Sequence, residues 1–186
     1  MNTQMLSLVH KQSILGQVLA VIGFSVAMAV AAAVKIPLFF TPVPITLQTF
    51  VLFSSVLFLK QRAVYAQFLY ILLGTLGLPV FSSGASLVAL TGPSGGYLFG
   101  FCLFALVVPH LLHTIVSSRF SFFKIFVLFL GANFLFVYAC GIIWLHYTYA
   151  FSWQQGVLLG AFPFIIGDVL KIAAVSALAV RLRSRR

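Results

Sequence analysis

The chain has 186 residues, of which 62% are hydrophobic and 6% are charged, with a formal net charge of +10. Its mean hydropathy is +1.17. A soluble domain of this size could not bury so much apolar surface, so the composition excludes a soluble protein and predicts residence in a bilayer. The length allows about six helical crossings of roughly 20 residues each. We therefore expect a single all-α membrane domain over residues 1–186.

Six apolar segments follow one another along the chain, and each predicts a transmembrane helix. They cover residues 12–34, 46–59, 63–78, 95–117, 125–147 and 156–180. The first segment is too long for the apolar region of a signal peptide, so we expect it to be retained as a span. The second and third are short, and they would have to tilt or thin the bilayer locally.

The basic residues stand at the edges of these segments, which is typical of membrane topology and not of a nucleic-acid-binding patch. If the N-terminus is cytoplasmic, nine of the eleven basic residues lie inside, while Lys35 lies outside and Lys171 lies within a span. The nine are Lys11, Lys60, Arg62, Arg119, Lys124, Arg181, Arg183, Arg185 and Arg186. The positive-inside rule therefore predicts that both termini are cytoplasmic.

Two of the outer connections are long, apolar and rich in proline, glycine and hydroxyl residues. They are KIPLFFTPVPITLQ, residues 35–48, and GLPVFSSGASLVALTGPSGGY, residues 77–97. Proline stiffens a loop, and glycine lets the backbone approach a ligand closely. Because apolar loops are unfavourable in water, we expect both to fold back over the bundle as a lid above an outward-facing cavity.

The last apolar segment contains GDVLK, residues 167–171, in which Asp168 is the chain's single acidic residue. Asp168 and Lys171 are three residues apart, so a helix places them on one face. Counting back from Arg181 puts Asp168 about 20 Å from the cytoplasmic edge, in the outer third of the membrane. The pair is either a structural ion pair between helices or the lining of a polar pocket. In the second case Lys171 receives a ligand carboxylate, and Asp168 orients Lys171 or accepts ligand N–H groups.

Other motifs indicate no catalysis, metal or cofactor. His110 and His113 lie near the cytoplasmic end of a span without an acidic neighbour, and Cys102 and Cys140 are typical of apolar packing residues. The stretch TGPSGG lacks the ending of a nucleotide-binding loop, so ATP energy cannot enter through this chain. No nucleophile, base and acid can be assembled, which argues against an enzyme.

The first span carries small residues at four-residue intervals, namely Gly23, Ala27 and Ala31. Small residues let another helix approach closely within a membrane. This strip predicts either packing inside the bundle or docking onto a separate membrane protein.

Three sequence blocks carry a resemblance to a known family. They are IPLFFTPVPITLQTF at 36–50, GLPVFSSG at 77–84 with GPSGGYLFGF at 92–101, and GDVLK at 167–171. In their order and spacing, over nearly the whole chain, they resemble BioY, the biotin-specific substrate-binding (S) component of energy-coupling factor (ECF) transporters.

The resemblance implies a six-helix bundle that binds biotin on its outer side. It implies that Asp168 and Lys171 stand at the family's binding-site aspartate and lysine, with Tyr97 in the same pocket. By position, Ser82 and Ser83 fall where the family has a polar or small residue facing the ureido ring. Gln48, directly after the first outer loop, is a further candidate for the same pocket.

The resemblance also implies partners and a location. Gly23, Ala27 and Ala31 would meet the transmembrane coupling subunit, which works with two ATPases, in the bacterial cytoplasmic membrane. Two alternatives remain: an S component for another vitamin, and a non-transporting membrane assembly protein in which the GDVLK pair is structural. Under the first alternative, a vitamin such as thiamine or riboflavin has no carboxylate to pair with Lys171. The second alternative predicts that no ligand binds.

Overall fold

The computed structural model describes residues 13–84, 87–116 and 121–184, and this part of the chain is mainly helical. The helices are α1 Ile14–Ala33, α2 Gln48–Leu59, α3 Ala63–Thr75, α4 Leu87–Thr91, α5 Gly95–Val116, α6 Phe122–Ala132, α7 Ala139–Tyr149, α8 Trp153–Gly160 and α9 Phe162–Ser184. Two short strands, β1 Lys35–Ile36 and β2 Ile45–Thr46, pair as an antiparallel hairpin. A π-helical segment, Asn133–Tyr138, joins α6 to α7. The basic residues Lys11, Arg119, Arg185 and Arg186, used above to predict orientation, lie outside these described ranges.

Within the described residues, five helical stretches are long and apolar enough to cross a membrane. They are Ile14–Ala33, Gln48–Thr75, Gly95–Ile115, Phe122–Tyr149 and Phe162–Leu182. The chain is therefore a multi-pass helical membrane protein. This count is one fewer than the predicted six, because two predicted segments, 46–59 and 63–78, fall within the single stretch Gln48–Thr75.

The stretch Gln48–Thr75 reverses direction at its centre. Lys60 has a φ of 54°, a left-handed conformation that ends α2, and a 3-10 turn then leads into α3. Gln48 Nε2 donates to Tyr70 Oη at 2.8 Å. In one straight helix these residues would lie about 33 Å apart along the axis. The bond therefore shows that α2 and α3 are two short helices that run antiparallel.

The prediction of one helix over 156–180 is wrong, because the helix is broken at Ala161. The residue has φ −126° and ψ −52°, and it separates α8 from α9. Pro163 explains the break. Proline has no N–H to donate to Leu159, and its ring would clash with that carbonyl in a continuous helix, whereas it is tolerated in the first turn of a new one.

The two outer connections contain more regular structure than the loops predicted for them. In the first, Lys35 pairs with Thr46 and Ile36 with Ile45, which closes a hairpin over residues 35–46. The second contains the short helix α4 and a bridge between Phe81 and Gly84. Backbone groups in apolar surroundings must find internal partners, and these elements supply them.

The interior of the bundle is built around α5, which packs against α2, α3, α6, the π-helical segment and α7. Three fully buried rings, those of Phe53, Phe104 and Phe129, form an aromatic layer with centroid separations of 5.3 to 5.8 Å. We call these three residues the ring layer. It fills the bundle between the basic turn at Lys60 and the hairpin.

Candidate functional site

Asp168 lies near the start of α9 and is only 3% exposed. Both oxygens of its carboxylate accept two hydrogen bonds each. Oδ1 accepts from Thr49 Oγ1 at 2.6 Å and from Lys171 Nζ at 3.0 Å. Oδ2 accepts from Tyr138 Oη at 2.7 Å and from Asn133 Nδ2 at 3.2 Å. A carboxylate buried without such partners would be strongly unfavourable, so these four donors make a charged group sustainable at this depth.

The π-helical segment explains how two of these donors reach the same oxygen. Asn133 and Tyr138 begin and end the segment, and they are five residues apart. In a regular α-helix a separation of five residues turns side chains to different faces, whereas the wider π-helical turn brings them onto one face. The irregular segment therefore positions both side chains on Asp168.

Lys171 connects the carboxylate to the hairpin. Its Nζ donates to Asp168 Oδ1 at 3.0 Å, to Thr49 Oγ1 at 2.9 Å and to the Thr46 carbonyl at 2.8 Å. An ammonium group has three N–H donors, and these oxygens use all of them. An incoming ligand oxygen can therefore bind the ammonium only by replacing one of these three oxygens. One of them, the Thr46 carbonyl, belongs to β2 of the hairpin.

The helix break at Ala161 leaves two carbonyls that the site uses. Thr41, in the hairpin, donates from Oγ1 to the Leu159 carbonyl at 2.8 Å, which is the group that Pro163 cannot pair. Tyr97 Oη donates to the Gly160 carbonyl at 2.6 Å. The Tyr97 ring also lies directly over Gly141, where an added Cβ would overlap it. The break thus anchors the hairpin and orients Tyr97.

The remaining predicted site residues are divided by the structure. Gln48 is buried, donates to Tyr70 and accepts from Thr46 Oγ1 at 3.2 Å. Ser82 is also buried, and its carbonyl accepts from Lys35 Nζ at 2.6 Å, which ties the two outer connections together. Ser83 is exposed and does not line the cavity described next.

These elements line a partly open cavity, whose empty volume, including the space at its mouth, is about 520 Å³. Its polar walls are Thr46, Gln48, Thr49, Ser82, Ser94, Tyr97, Tyr138, Asp168 and Lys171, and its apolar walls are Val43, Pro44, Ile45, Leu98, Phe101, Val137 and Phe164. The hairpin covers one side of it through Val43, Pro44, Ile45 and Thr46. Polar groups that converge on one space between apolar side chains are typical of a site for a small organic molecule.

The structure brings together five of the six predicted binding residues, all except Ser83. No group of three potential metal-ligating side chains occurs in the described ranges. The small-residue strip on α1 is not uniform: Gly23 is exposed, Ala27 is partly buried, and Ala31 is buried with its carbonyl accepting from Leu47 N at 3.3 Å. Only the Gly23 end of this strip is open to a partner.

Comparison with known proteins identifies the family. The profile of the BioY family matches residues 2–186. The chain belongs to the BioY family. It is 35% identical over 163 residues to the biotin transporter BioY of Thermotoga maritima, covering 86% of this chain and 91% of that protein. It is 32% identical over 142 residues to biotin transporter BioY2 of Lactococcus lactis, covering 75% and 76%.

A solved structure with the same fold is the S-component for biotin from an ECF-type ABC transporter. The TM-score is 0.83 at 22% identity, and the match covers 91% of this chain and 92% of that one. The likeness shows that this BioY-family chain has the S-component fold. The match to the family model confirms the family that the three sequence blocks indicate.

Thr46, Thr49, Asn133 and Tyr138 contact the charged pair but are absent from the sequence prediction for this BioY-family member. Thr49 follows Gln48 directly and has one of the few hydroxyl groups at the start of α2. Asn133 interrupts a long apolar run, and a buried amide in such a run is itself a signal. No comparable signal distinguishes Tyr138 from the other aromatic residues.

Proposed function

We propose that this protein binds biotin in the cavity beneath the hairpin and serves as the substrate-binding subunit of an uptake transporter. The observation that carries the proposal is the cavity lined by the Asp168–Lys171 pair, in a chain whose relatives are named biotin transporters. The role is binding and translocation rather than catalysis.

The chemistry of biotin complements this cavity. The molecule has a carboxylate, a ureido group with two N–H donors and a carbonyl, and an apolar thioether ring with an aliphatic chain. Lys171 supplies the cation, and the hydroxyls and amide of Thr46, Thr49 and Gln48 supply further polar partners. The apolar walls, including Phe101 and Phe164, cover the ring and chain. In this proposal a biotin oxygen replaces the Thr46 carbonyl on Lys171.

Isothermal titration of biotin into the purified protein tests this function, with biotin amide as the comparison ligand. We expect tight binding of biotin and clearly weaker binding of the amide, because the amide removes the charge that Lys171 would receive. Equal affinities would contradict the role of Lys171, and no binding of either ligand by a folded, biotin-free sample would contradict the function.

We further propose six crossings of the bacterial cytoplasmic membrane by a single domain, with both termini in the cytoplasm. In this topology α2 and α3 are two short crossings, of about 18 and 20 Å at 1.5 Å per residue. Support comes from Lys60, Lys124 and Arg181, which stand at the ends of α2, α6 and α9 remote from the hairpin. Labelling of single cysteines at residue 61 and residue 39 in intact cells tests it: only the second should react with an impermeant reagent.

A transmembrane coupling subunit and two ATPases are the proposed partners, with the exposed Gly23 end of the α1 strip, and Ala27 beside it, in the interface. Support comes from α1 being the least buried candidate span, at 17% against 33–44% for the other four. Ala27→Trp should abolish copurification with a coupling subunit while biotin binding persists. Loss of both would indicate instead that the strip packs within the bundle.

A further inference from the structure

A second concave surface lies on the outside of the bundle, between the last two turns of α5 and one face of α6. It has an empty volume of about 930 Å³, and apart from Lys124 its walls are apolar. Leu111 and Ile115 form the α5 wall, one helical turn apart. We call this surface the α5–α6 groove. It shares no residue with the cavity beneath the hairpin.

The sequence of α6 produces the groove by simple periodicity. Val127, Gly131 and Leu135 recur every four residues, so they form one stripe that continues into the π-helical segment. At Gly131 an added Cβ would meet nothing within 4 Å, so the missing side chain leaves a notch in the middle of the stripe. The α5–α6 groove is therefore a long apolar depression and not a flat helix face.

Lys124 lies at one end of the α5–α6 groove, in the first turn of α6, and its side chain is exposed. The chain has a single acidic side chain, Asp168, and Lys171 already forms an ion pair with it at 3.0 Å. No acidic side chain is therefore left to neutralise Lys124. A negative partner for this ammonium must come from outside the protein.

The dimensions of the groove match one leaflet of a membrane. From Lys124 to Leu135 the helix rises by about 17 Å at 1.5 Å per residue. Half of a hydrocarbon core of about 30 Å is about 15 Å. An occupant with an anionic head at Lys124 and an apolar tail along the stripe would thus extend from the membrane surface to the bilayer midplane.

We propose that the α5–α6 groove is a binding site for an anionic phospholipid, whose phosphate pairs with Lys124 and whose acyl chain lies along the Gly131 notch. Apolar contact alone would accept any lipid, so the preference for an anionic head comes from Lys124. A second copy of this chain would bring further positive charge and no unpaired acidic side chain to Lys124. The charge therefore favours an anionic lipid over a second copy in the groove.

Native mass spectrometry of the delipidated full chain, exposed to equal amounts of phosphatidylglycerol and phosphatidylcholine, tests the proposal. We expect the wild type to retain phosphatidylglycerol preferentially. Lys124→Gln should reduce that preference about fivefold, the contribution of one basic residue near a membrane surface. Gly131→Phe fills the notch and should reduce binding of both lipids.

Lys60→Gln is the matched control, because Lys60 is also exposed and lies at the same end of the bundle but outside the groove. It should leave the lipid preference unchanged. Circular dichroism and the thermal unfolding midpoint in detergent verify that each variant is folded. Equal effects of Lys124→Gln and Lys60→Gln, or no lipid preference in the wild type, would overturn the proposal. A wild-type dimer that Gly131→Phe dissociates would overturn it in favour of a second copy.

Discussion

The polar layer, which is Asp168 with its four hydrogen-bond donors, and the ring layer share two stretches of helix, and on each the two layers lie one turn apart. On α2, Thr49 contacts the carboxylate and Phe53 lies four residues later. Along α6, Phe129 lies four residues before Asn133. The upper layer contains a carboxylate with four donors, whereas the lower layer contains only buried rings.

The two layers differ in what fixes the positions of their side chains. In the upper layer both carboxylate oxygens and the ammonium are paired, so their arrangement is specified by hydrogen bonds. In the lower layer packing alone decides, and the rings leave no polar group for a ligand to contact. The two layers should therefore respond differently to substitution.

Asp168→Ala should have the largest effect, because it leaves the partly buried ammonium of Lys171 without its carboxylate. Removing one partner of a buried ion pair costs about 3–5 kcal/mol, and biotin binding should be lost as well. Unfolding of the purified protein in detergent and titration with biotin measure the two effects. A stable Asp168→Ala variant with unchanged affinity would contradict the importance of the polar layer.

The double variant Asp168→Leu, Lys171→Met separates structure from function in the same layer. Replacing both charges by apolar side chains of similar size removes the charge-desolvation penalty, so stability should recover in part. Recovery should be incomplete, because Thr49, Asn133 and Tyr138 lose the acceptor that the carboxylate provides. Biotin binding should remain absent, because the ligand has lost its cation. Restored biotin binding in this variant would show that the pair is structural only.

Phe129→Ala tests the ring layer. Truncating a fully buried phenylalanine costs about 3 kcal/mol or more through lost contacts and the cavity left behind. Because Phe129 does not line the biotin cavity, binding should persist at temperatures where the variant is folded. Phe123→Ala, at a ring that is 69% exposed on the same helix, is the control and should unfold like the wild type. Loss of biotin binding in a stably folded Phe129→Ala variant would show that the ring layer is part of the binding site.

Tyr138→Phe removes one donor from the carboxylate and should have a smaller effect. A hydrogen bond to a charged group contributes about 2 kcal/mol, and one between neutral groups about 1 kcal/mol. Tyr97→Phe is the matched control, because its hydroxyl donates to the neutral carbonyl of Gly160. Unfolding measurements should rank Tyr138→Phe below Tyr97→Phe in stability. Equal losses would contradict the special role of the charged acceptor.

The sequence predicts the parts of this molecule that follow regular periodicity and composition. The apolar runs give α1, α2, α3 and α5 within a few residues, and GDVLK gives the ion pair because Asp168 and Lys171 are three residues apart on a helix. The long proline- and glycine-rich connections correctly indicate the segments that cover the cavity. These features depend on local chemistry alone, so one sequence is sufficient.

The rest depends on departures from regular helices. Asn133 and Tyr138 are five residues apart, so the α-helical period assigns them to different faces, and only the π-helical turn brings them together. The break at Ala161 was hidden in an apolar run, although Pro163 offered a signal for it. The distinction between Ser82 and Ser83 depends on how the second connection folds over the bundle, which neighbouring serines cannot reveal.

Thr41→Val should have the smallest effect, because it changes only the attachment of the hairpin. The variant keeps the size of the side chain but removes the hydrogen bond of 2.8 Å to the Leu159 carbonyl. A loss of about 1 kcal/mol corresponds to roughly fivefold faster dissociation of biotin if the hairpin must lift for release. Dissociation of radiolabelled biotin measures this rate. Ser83→Ala, at an exposed hydroxyl on the other connection, should leave it unchanged. Faster release from both variants would mean that the two connections move as one cover, whereas unchanged release from Thr41→Val would mean that biotin leaves without displacing the hairpin.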